Sequence, residues 1–252
     1  MKQLTFTALE GIPMIQTGDD LAVILRQALT ASTIRLQDGD VLVLAQKIVS
    51  KSEGRWVDLS AVIPGEAAEA LSAQTEKDPR LVELILKESR EVLRSRPGLI
   101  VVEHRLGFIC ANAGIDHSNV KGAGDWVLLL PDDPDASARR LRNALGEAFG
   151  AQVGVLIIDS HGRAWRNGTV GITIGLAGLP GLVDRRGEFD LFGYEMVATD
   201  VGAADELAAG ASLLMGQVAE GTPAVHVRGF PYPLREAGLD EIIREREKDM
   251  FR

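Results

Sequence analysis

Three polar segments, each next to an apolar run, carry the residue types that could do chemistry. The first contains Asp116 and, three residues later, Asn119; the second is the pair Asp159 and Ser160 after an apolar strand. The third is a glycine-bounded loop over 216–223. Magnesium sites typically combine one or two carboxylates with phosphate oxygens and waters. The two aspartates are therefore candidate carboxylates of such a site.

Each of these residues also has an ordinary structural explanation. An aspartate at a strand end is more often a turn former or helix cap than a metal ligand. Gln217 fits a solvated helix end, and Lys47 fits either a phosphate contact or a solvated surface charge. Cys110 fits a small core residue better than a nucleophile. The run 159–161 contains the residue types of a hydrolase triad, but neighbouring side chains diverge, so a serine hydrolase is disfavoured.

Composition excludes several function classes. With 27 basic and 36 acidic residues the net charge is −9, so the chain has no global attraction for nucleic acid or anionic membranes. A small anion can still bind through a metal and a few basic groups. The single cysteine excludes a disulfide framework, and there is no phosphate-loop motif, signal peptide or membrane-length apolar run. We expect a cytoplasmic protein with a small-molecule ligand.

Hydrophobic periodicity predicts strands and helices that alternate irregularly. The predicted strands cover 4–9, 41–45, 56–59, 99–102, 127–130, 153–158, 170–174 and 224–227. The predicted helices include one capped by Asp19 or Asp20 and others over 65–75, 79–93, 135–149, 205–216 and 239–248. This order favours an α+β or mixed α/β arrangement over a sandwich or a helical bundle.

Taken together, the segments resemble the coenzyme F420-0:L-glutamate ligase family over about residues 5–230. Several ordered motifs at family-like spacing carry the resemblance, and no single one would suffice. They are Gly11-Ile12-Pro13-Met14, the run Asp40 to Lys51, Ala111 to Asp116, Asp159 to Arg163 with Trp165, Arg166 and Gly168, and Gly216-Gln217 with Glu220-Gly221-Thr222-Pro223.

The resemblance implies a GTP-dependent amide ligase that adds L-glutamate to coenzyme F420-0 through an acyl phosphate. It implies magnesium or manganese, and potassium as a further cation. The implied metal-site residues are Asp116, Asp159, Ser160 and Gln217. The implied nucleotide contacts are Gly11, Ile12, Pro13, Met14, Lys47, Asn119, Gly216, Gln217, Gly221 and Thr222. Charge neutralisation during phosphoryl transfer makes Asp116, Asp159 and Lys47 the implied catalytic residues.

The resemblance also implies an α+β subunit of two interleaved lobes in an intertwined homodimer. We expect a single ligase unit over 1–245 and a tail over 246–252, which leaves no room for the nitroreductase-like domain of some members. The motifs bind nucleotide and metal, so they do not choose the acceptor. A related ligase that joins an amino acid to a different carboxylate metabolite stays open. So do a nucleotide-binding module without catalysis and a metal-dependent phosphohydrolase.

Overall fold

The structure is a computed structural model that describes residues 2–117 and 125–250. Its strands are β1 Thr5–Ala8, β2 Val41–Ala45, β3 Trp56–Asp58, β4 Ser89–Arg96, β5 Leu99–His104, β6 Ile109–Ala111, β7 Trp126–Leu128, β8 Gly154–Arg163, β9 Arg166–Ala177, β10 Val183–Asp184, β11 Asp200–Val201 and β12 Ala224–Arg228. Its α-helices are α1 Leu21–Ala31, α2 Gln46–Ser52, α3 Glu66–Thr75, α4 Pro79–Lys87, α5 Pro134–Phe149 and α6 Ala203–Met215. The predicted mixed α/β class is confirmed.

A five-stranded sheet in the order β1-β12-β2-β8-β9 forms the centre of the fold. Strands β2 and β8 pair in parallel, and the other pairings are antiparallel. Both α5 and α6 contact β9, where two glycines permit a close approach. A Cβ at Gly175 would collide with Pro134 of α5, and one at Gly171 with Ser212 of α6. The sheet is therefore covered by helices, which explains the unbroken apolar runs of β2 and β8.

The remaining strands form smaller units around this sheet. β4, β5 and β6 make a three-stranded antiparallel sheet, while β3 pairs with β7 and β10 with β11. Glu88, between α4 and β4, accepts hydrogen bonds from Arg105 at 2.9 Å and Arg55 at 3.2 Å. Burial alone would raise the pKa of Glu88, but His104 and the two arginines lower it to about 2. This ion network ties the small sheet to the segment that follows α2.

One predicted helix is too long and another is wrong. The helix predicted over 79–93 ends at Lys87, and residues 89–96 form β4, because pairing with the buried strand β5 outweighs the local helical pattern. The helix predicted over 239–248 is replaced by two short 3₁₀ turns, Leu239–Glu241 and Arg246–Lys248. That segment buries Leu239 but lacks a continuous apolar stripe that would hold a helix on the core.

The other predicted elements are found, most with small shifts of their ends, while β8 and β9 are longer than predicted. Asp20 caps α1, since its carboxylate accepts hydrogen bonds from the backbone N–H groups of Ala22 and Val23. Asp133 caps α5 by the same means, and Pro134 occupies the first helical turn. In the part of the chain that the structure describes, no helix has the length and apolar character needed to cross a membrane.

Candidate functional site

A cavity of about 640 Å³ lies beside the carboxyl ends of β2 and β8. The ends of parallel strands meet at one edge of a sheet, which is where α/β proteins place ligands, and the volume is ordinary for a small-molecule site. The cavity brings together most of the predicted site residues. They are Ile12, Pro13, Met14, Lys47, Asp116, Asp159, Ser160, Gly216, Gln217, Gly221 and Thr222.

Lys47 reaches the cavity because β2 leads directly into α2. Ala45 is both the last residue of the strand and the N-cap of the helix, so Lys47 lies in the first helical turn. Its Nζ is 3.5 Å from Oδ1 of Asp116. One turn further on, Lys51 is almost fully buried and also lines the cavity. The two ammonium groups form one basic side of the cavity. Burial and the charge of Lys47 lower the pKa of Lys51.

A turn of unusual backbone conformation delivers Asp116. Asn112, Ala113 and Gly114 have φ angles of 51°, 53° and 65°, three successive residues in the left-handed region. This region costs non-glycine residues roughly 1–2 kcal/mol each. The backbone N–H and C=O of Asp116 both bond to Leu128 of β7 at 2.9 Å. The strained turn and the pairing to β7 together fix the carboxylate at the cavity wall.

The Asp116 carboxylate lies in a low-polarity environment. Burial and the nearby charge of Asp159 raise its pKa to about 6, although Lys47 and Gln46 act in the opposite direction. Gln46 Nε2 donates to Oδ2 of Asp116 at 2.7 Å. The amide oxygen of Gln46 in turn accepts a hydrogen bond from Ser50 Oγ at 2.8 Å. The negative charge of Asp116 is thus costly in the absence of a further cation.

Asp159 lies where β8 leaves its parallel partner. The prediction that the apolar strand ends before Asp159 is wrong, because β8 continues to Arg163 as a hairpin with β9. The parallel pairing with β2, however, ends at Ile158. His161 Nε2 lies 2.9 Å from Oδ2 of Asp159. Side chains alternate along a strand, so Asp159 and His161 share one face and Ser160 points to the other.

The surroundings of Asp159 are packed rather than open. His161 is buried, and its ring lies 5.4 Å from that of Phe108, which stacks on His104 at 5.1 Å. Cys110 is also buried here. Burial and the charge of Asp159 raise the pKa of the Cys110 thiol to about 12. The prediction that this cysteine is a core residue is confirmed, since its thiolate form is disfavoured.

The loop after α6 closes another side of the cavity. Gly216 ends the helix with φ 70° and ψ −174°, a conformation that favours glycine. The Glu220 carboxylate accepts a hydrogen bond from Val218 N–H at 2.9 Å, and loop N–H groups lower the pKa of Glu220. Thr222 Oγ1 donates to the Leu214 carbonyl at 3.1 Å. The loop is therefore held in shape by its own hydrogen bonds, with Gln217 exposed.

The structure does not bear out one predicted contact and does not describe another. Gly11 precedes Ile12 in the chain but is not among the described residues that line the cavity, and Asn119 lies outside the described residues. Over residues 2–117 and 125–250 no group of three or more His, Cys, Asp and Glu side chains could hold a metal. Asp116 and Asp159 supply two carboxylates, and a magnesium ion bound together with phosphate usually has one or two.

Three residues of the site had no predicted role. Gln46, Lys51 and His161 lie inside motif segments, but no function was predicted for them. Their spacing carries the missing signal. Gln46 and Ser50 are four residues apart on a helix, while Asp159 and His161 are two apart on a strand, and both spacings place side chains on one face.

The fold and the cavity define a mixed α/β protein whose cleft presents two carboxylates and a lysine to a small ligand. The chain belongs to the F420-0:gamma-glutamyl ligase family, whose sequence profile matches residues 11–229. It is 46% identical over 251 residues to the coenzyme F420:L-glutamate ligase of Methanothermobacter thermautotrophicus, with 99% of each chain covered. The enzyme of the same name from Methanopyrus kandleri is 44% identical, with 97% of each chain covered.

A third relative supports the same assignment. The coenzyme F420:L-glutamate ligase of Archaeoglobus fulgidus is 43% identical over 243 residues, with 96% of this chain and 94% of that protein covered. The resemblance predicted from the motifs is therefore confirmed.

Proposed function

We propose that the protein is a GTP-dependent ligase that adds L-glutamate to coenzyme F420-0. The observation that carries the proposal is the convergence of Lys47, Asp116 and Asp159 on one cavity in a chain of this family. A ligase must handle a polyanionic nucleotide, and this cavity combines basic groups with carboxylates suited to a divalent cation. The cytoplasmic location stays a prediction.

The proposed reaction has two steps. A carboxylate oxygen of coenzyme F420-0 attacks the γ-phosphorus of GTP, the bond from that phosphorus to the bridging oxygen breaks, and GDP leaves. The glutamate amine then attacks the acyl carbon, inorganic phosphate leaves, and the amine gives up a proton as the amide forms. Phosphoryl transfer requires mainly positioning and charge neutralisation, so no protein nucleophile is needed. The high pKa of Cys110 agrees with this scheme.

The residues of the cavity fit a divalent metal. Asp116 and Asp159 are close enough for one charge to raise the pKa of the other, and a cation between them would remove that repulsion. Bound magnesium or manganese would neutralise phosphate oxygens and position them for transfer. We propose Asp116 and Asp159 as its main protein ligands. Ser160, on the other face of β8, and Gln217 are proposed for a second cation; potassium stays a prediction.

The basic side and the loop support the proposed nucleotide contacts. Lys47 places an ammonium group 3.5 Å from Asp116, where it would face the same phosphates as the metal. Two segments on different sides of the cavity carry further proposed contacts, namely Ile12, Pro13 and Met14 on one and Gly216, Gln217, Gly221 and Thr222 on the loop after α6. Gly11 and Asn119 stay predicted nucleotide contacts.

We propose a homodimer formed through a protruding segment. The segment between β10 and β11, residues 185–199, is called the arm below. Backbone hydrogen bonds join its two halves: Gly187 N–H donates to the Met196 carbonyl, and Met196 N–H donates to the Glu188 carbonyl. Its apolar side chains are largely exposed, namely Phe189, Leu191, Phe192, Tyr194 and Val197. So many exposed apolar side chains in one short segment are typical of a protein interface, and a second copy of the chain is the proposed occupant.

An assay of product mass tests the ligase proposal. The protein is mixed with GTP or ATP, magnesium or manganese, L-glutamate and coenzyme F420-0, and GDP and the acceptor mass are measured. We expect GDP release coupled to the addition of glutamate, with little activity from ATP. GDP release without a mass increase on the acceptor would contradict the proposal and favour a phosphohydrolase.

The second candidate differs only in the acceptor. A panel of carboxylate metabolites in place of coenzyme F420-0, read by mass spectrometry, separates the two ligases. Faster ligation of another carboxylate would support the second candidate. Tight GTP binding without GDP formation in any mixture would instead support a nucleotide-binding module.

A further inference from the structure

Asp116 and Asp159 each have one carboxylate oxygen bonded to a buried side chain that has no assigned role. Gln46, with 1% of its surface exposed, donates to Oδ2 of Asp116 at 2.7 Å. His161, with 6% exposed, places Nε2 2.9 Å from Oδ2 of Asp159. The two side chains come from different elements, α2 and β8, yet they make the same kind of contact.

We propose that Gln46 and His161 are the positioning residues of the metal site. By engaging one oxygen of each carboxylate, they fix the two rotamers and leave the second oxygens for the cation. For Asp116 that second oxygen, Oδ1, is the one that lies beside Lys47. The inference rests on the proposed function, because it takes a divalent cation as the group that Asp116 and Asp159 hold.

The orientation of Gln46 is fixed by its own hydrogen bonds. Its amide oxygen accepts from Ser50 Oγ at 2.8 Å, and Ser50 is fully buried. The amide NH₂ group must therefore face Asp116 and donate. A chain of two buried hydrogen bonds, from Ser50 to Gln46 to Asp116, sets the carboxylate in one position.

A histidine at position 161 leaves one buried ring nitrogen without a hydrogen bond to the described residues, so packing alone does not explain why a histidine is present. Its Nε2 must carry the proton in order to donate to Asp159, which leaves Nδ1 as an acceptor. That nitrogen is buried and has no hydrogen-bond partner in the described part of the chain. An apolar side chain of similar size would fill the space beside Phe108 without this cost. The contact with Asp159 is the feature that only histidine or a similar donor provides.

The chain contains another buried histidine beside an aspartate, which serves as a control. His226 on β12 is also buried, and its Nε2 is 2.9 Å from Oδ2 of Asp40, although this contact lacks hydrogen-bond geometry. Asp40 directly precedes β2, whereas the cavity lies at the opposite end of that strand. Replacing His226 therefore removes a buried histidine beside an aspartate from the same sheet without touching the cavity.

The test measures Mn²⁺ binding by electron paramagnetic resonance, together with kcat and KM. In His161→Leu and Gln46→Met we expect the Kd for Mn²⁺ to rise by about 10–100-fold, the usual effect of losing such partners. His161→Gln, whose amide can reach Asp159, should restore most of the affinity. His161→Asn, whose amide is too short, should not. His226→Leu should lower the melting temperature but keep the wild-type Kd.

The outcomes separate this inference from the proposed function. Wild-type Mn²⁺ affinity in folded His161→Leu and Gln46→Met, checked by circular dichroism, would overturn the positioning role and leave the ligase proposal standing. Equal affinity in His161→Gln and His161→Asn would also overturn it. If the wild-type protein binds no Mn²⁺, with or without GTP, the metal site itself is wrong and both proposals lose their basis.

Discussion

Asp116 and Asp159 share a cavity but depend on different neighbours. Asp116 lies beside Lys47 and Gln46, and burial raises its pKa to about 6. Asp159 is bonded to His161 on its own strand. The two carboxylates are therefore held by different elements, Asp116 by α2 and Asp159 by its own strand β8.

Replacement of Asp159 tests its proposed catalytic role. Asp159→Asn keeps the size of the side chain but removes its negative charge, so metal-assisted phosphoryl transfer should fall by at least about 100-fold. The measurement is turnover with GTP, glutamate and the acceptor. Asp205→Asn is the control, because this carboxylate bonds to the Thr173 N–H on the same sheet, away from the cavity. Wild-type turnover in Asp159→Asn would contradict the metal assignment.

Gly216 offers a second test at a single position. Its φ of 70° favours glycine, and a Cβ there would collide with the Glu220 carboxyl group. Gly216→Ala should therefore distort the loop and raise the Kd for GTP by about tenfold, equivalent to roughly 1.4 kcal/mol. Gly150→Ala is the control, since it has a similar φ at the end of α5 but open space around it. An equal Kd in both variants would argue against a nucleotide contact.

Sequence alone identified the residues of the site better than their partners. Lys47, Asp116 and Asp159 follow apolar runs, a pattern visible without a structure, and all three line the cavity. No role was predicted for Gln46 and His161, because the role proposed for each depends on a hydrogen bond to a carboxylate. For Gln46 that carboxylate is 70 residues away along the chain, and no local pattern encodes such a pairing.

At the level of elements, local pattern succeeded where a helix has its own cap and apolar face. Asp20 caps α1, one of the two caps predicted for it, and α5 begins at Pro134, one residue before its predicted start. Strand β4 was predicted as helix because its hydrogen-bond partners belong to β5. The true end of helix α4 lies next to Glu88, whose ion network requires Arg55 and Arg105 from other parts of the chain. Non-local contacts therefore account for the main error in the predicted fold.

The Glu88 network should make stability depend on pH. The folded pKa of about 2 lies below the ordinary glutamate value of 4.5, so the stabilisation is present above about pH 4.5 and is lost as the pH falls toward 2. Glu88→Gln should lower the free energy of unfolding by about 2–3 kcal/mol at pH 7, and by about 1 kcal/mol less at pH 4. Urea unfolding of both proteins at the two pH values measures this.

An exposed ion pair provides the control for that experiment. Glu91 pairs with Arg246 at 2.7 Å, but both side chains are largely solvated. Glu91→Gln should change the free energy of unfolding by less than about 1 kcal/mol at either pH. A free energy of unfolding of Glu88→Gln that differs from that of the wild-type protein by the same amount at pH 7 and pH 4 is the opposing result. That result would contradict a stabilising role for the negative charge of Glu88.

At the scale of the whole molecule, the arm is the feature that a single subunit leaves unexplained. Phe192 is 95% exposed and Leu191 98% exposed, so folding of one chain gives them no apolar contact. Phe192→Asp should shift the proposed dimer toward monomer, by at least about tenfold in dissociation constant. Sedimentation velocity over a range of concentrations measures the shift.

A scattered apolar residue serves as the control for the arm. Ile63 is 86% exposed but lies outside the arm, between β3 and α3. Ile63→Asp should leave the association state unchanged. A wild-type protein that is monomeric at every concentration would contradict the proposed dimer. Equal dissociation in Ile63→Asp and Phe192→Asp would place the interface elsewhere.

The position of β12 in the central sheet has a consequence for how the chain folds. This strand, residues 224–228, lies between β1 and β2 and places Arg228 opposite Thr5. During synthesis β1 and β2 therefore cannot pair with β12 until residues 224–228 have been made. Sheets with such distant pairings fold slowly, and the free edge of β2 is open to aggregation in the meantime. We expect refolding to be slow and its yield to fall with protein concentration.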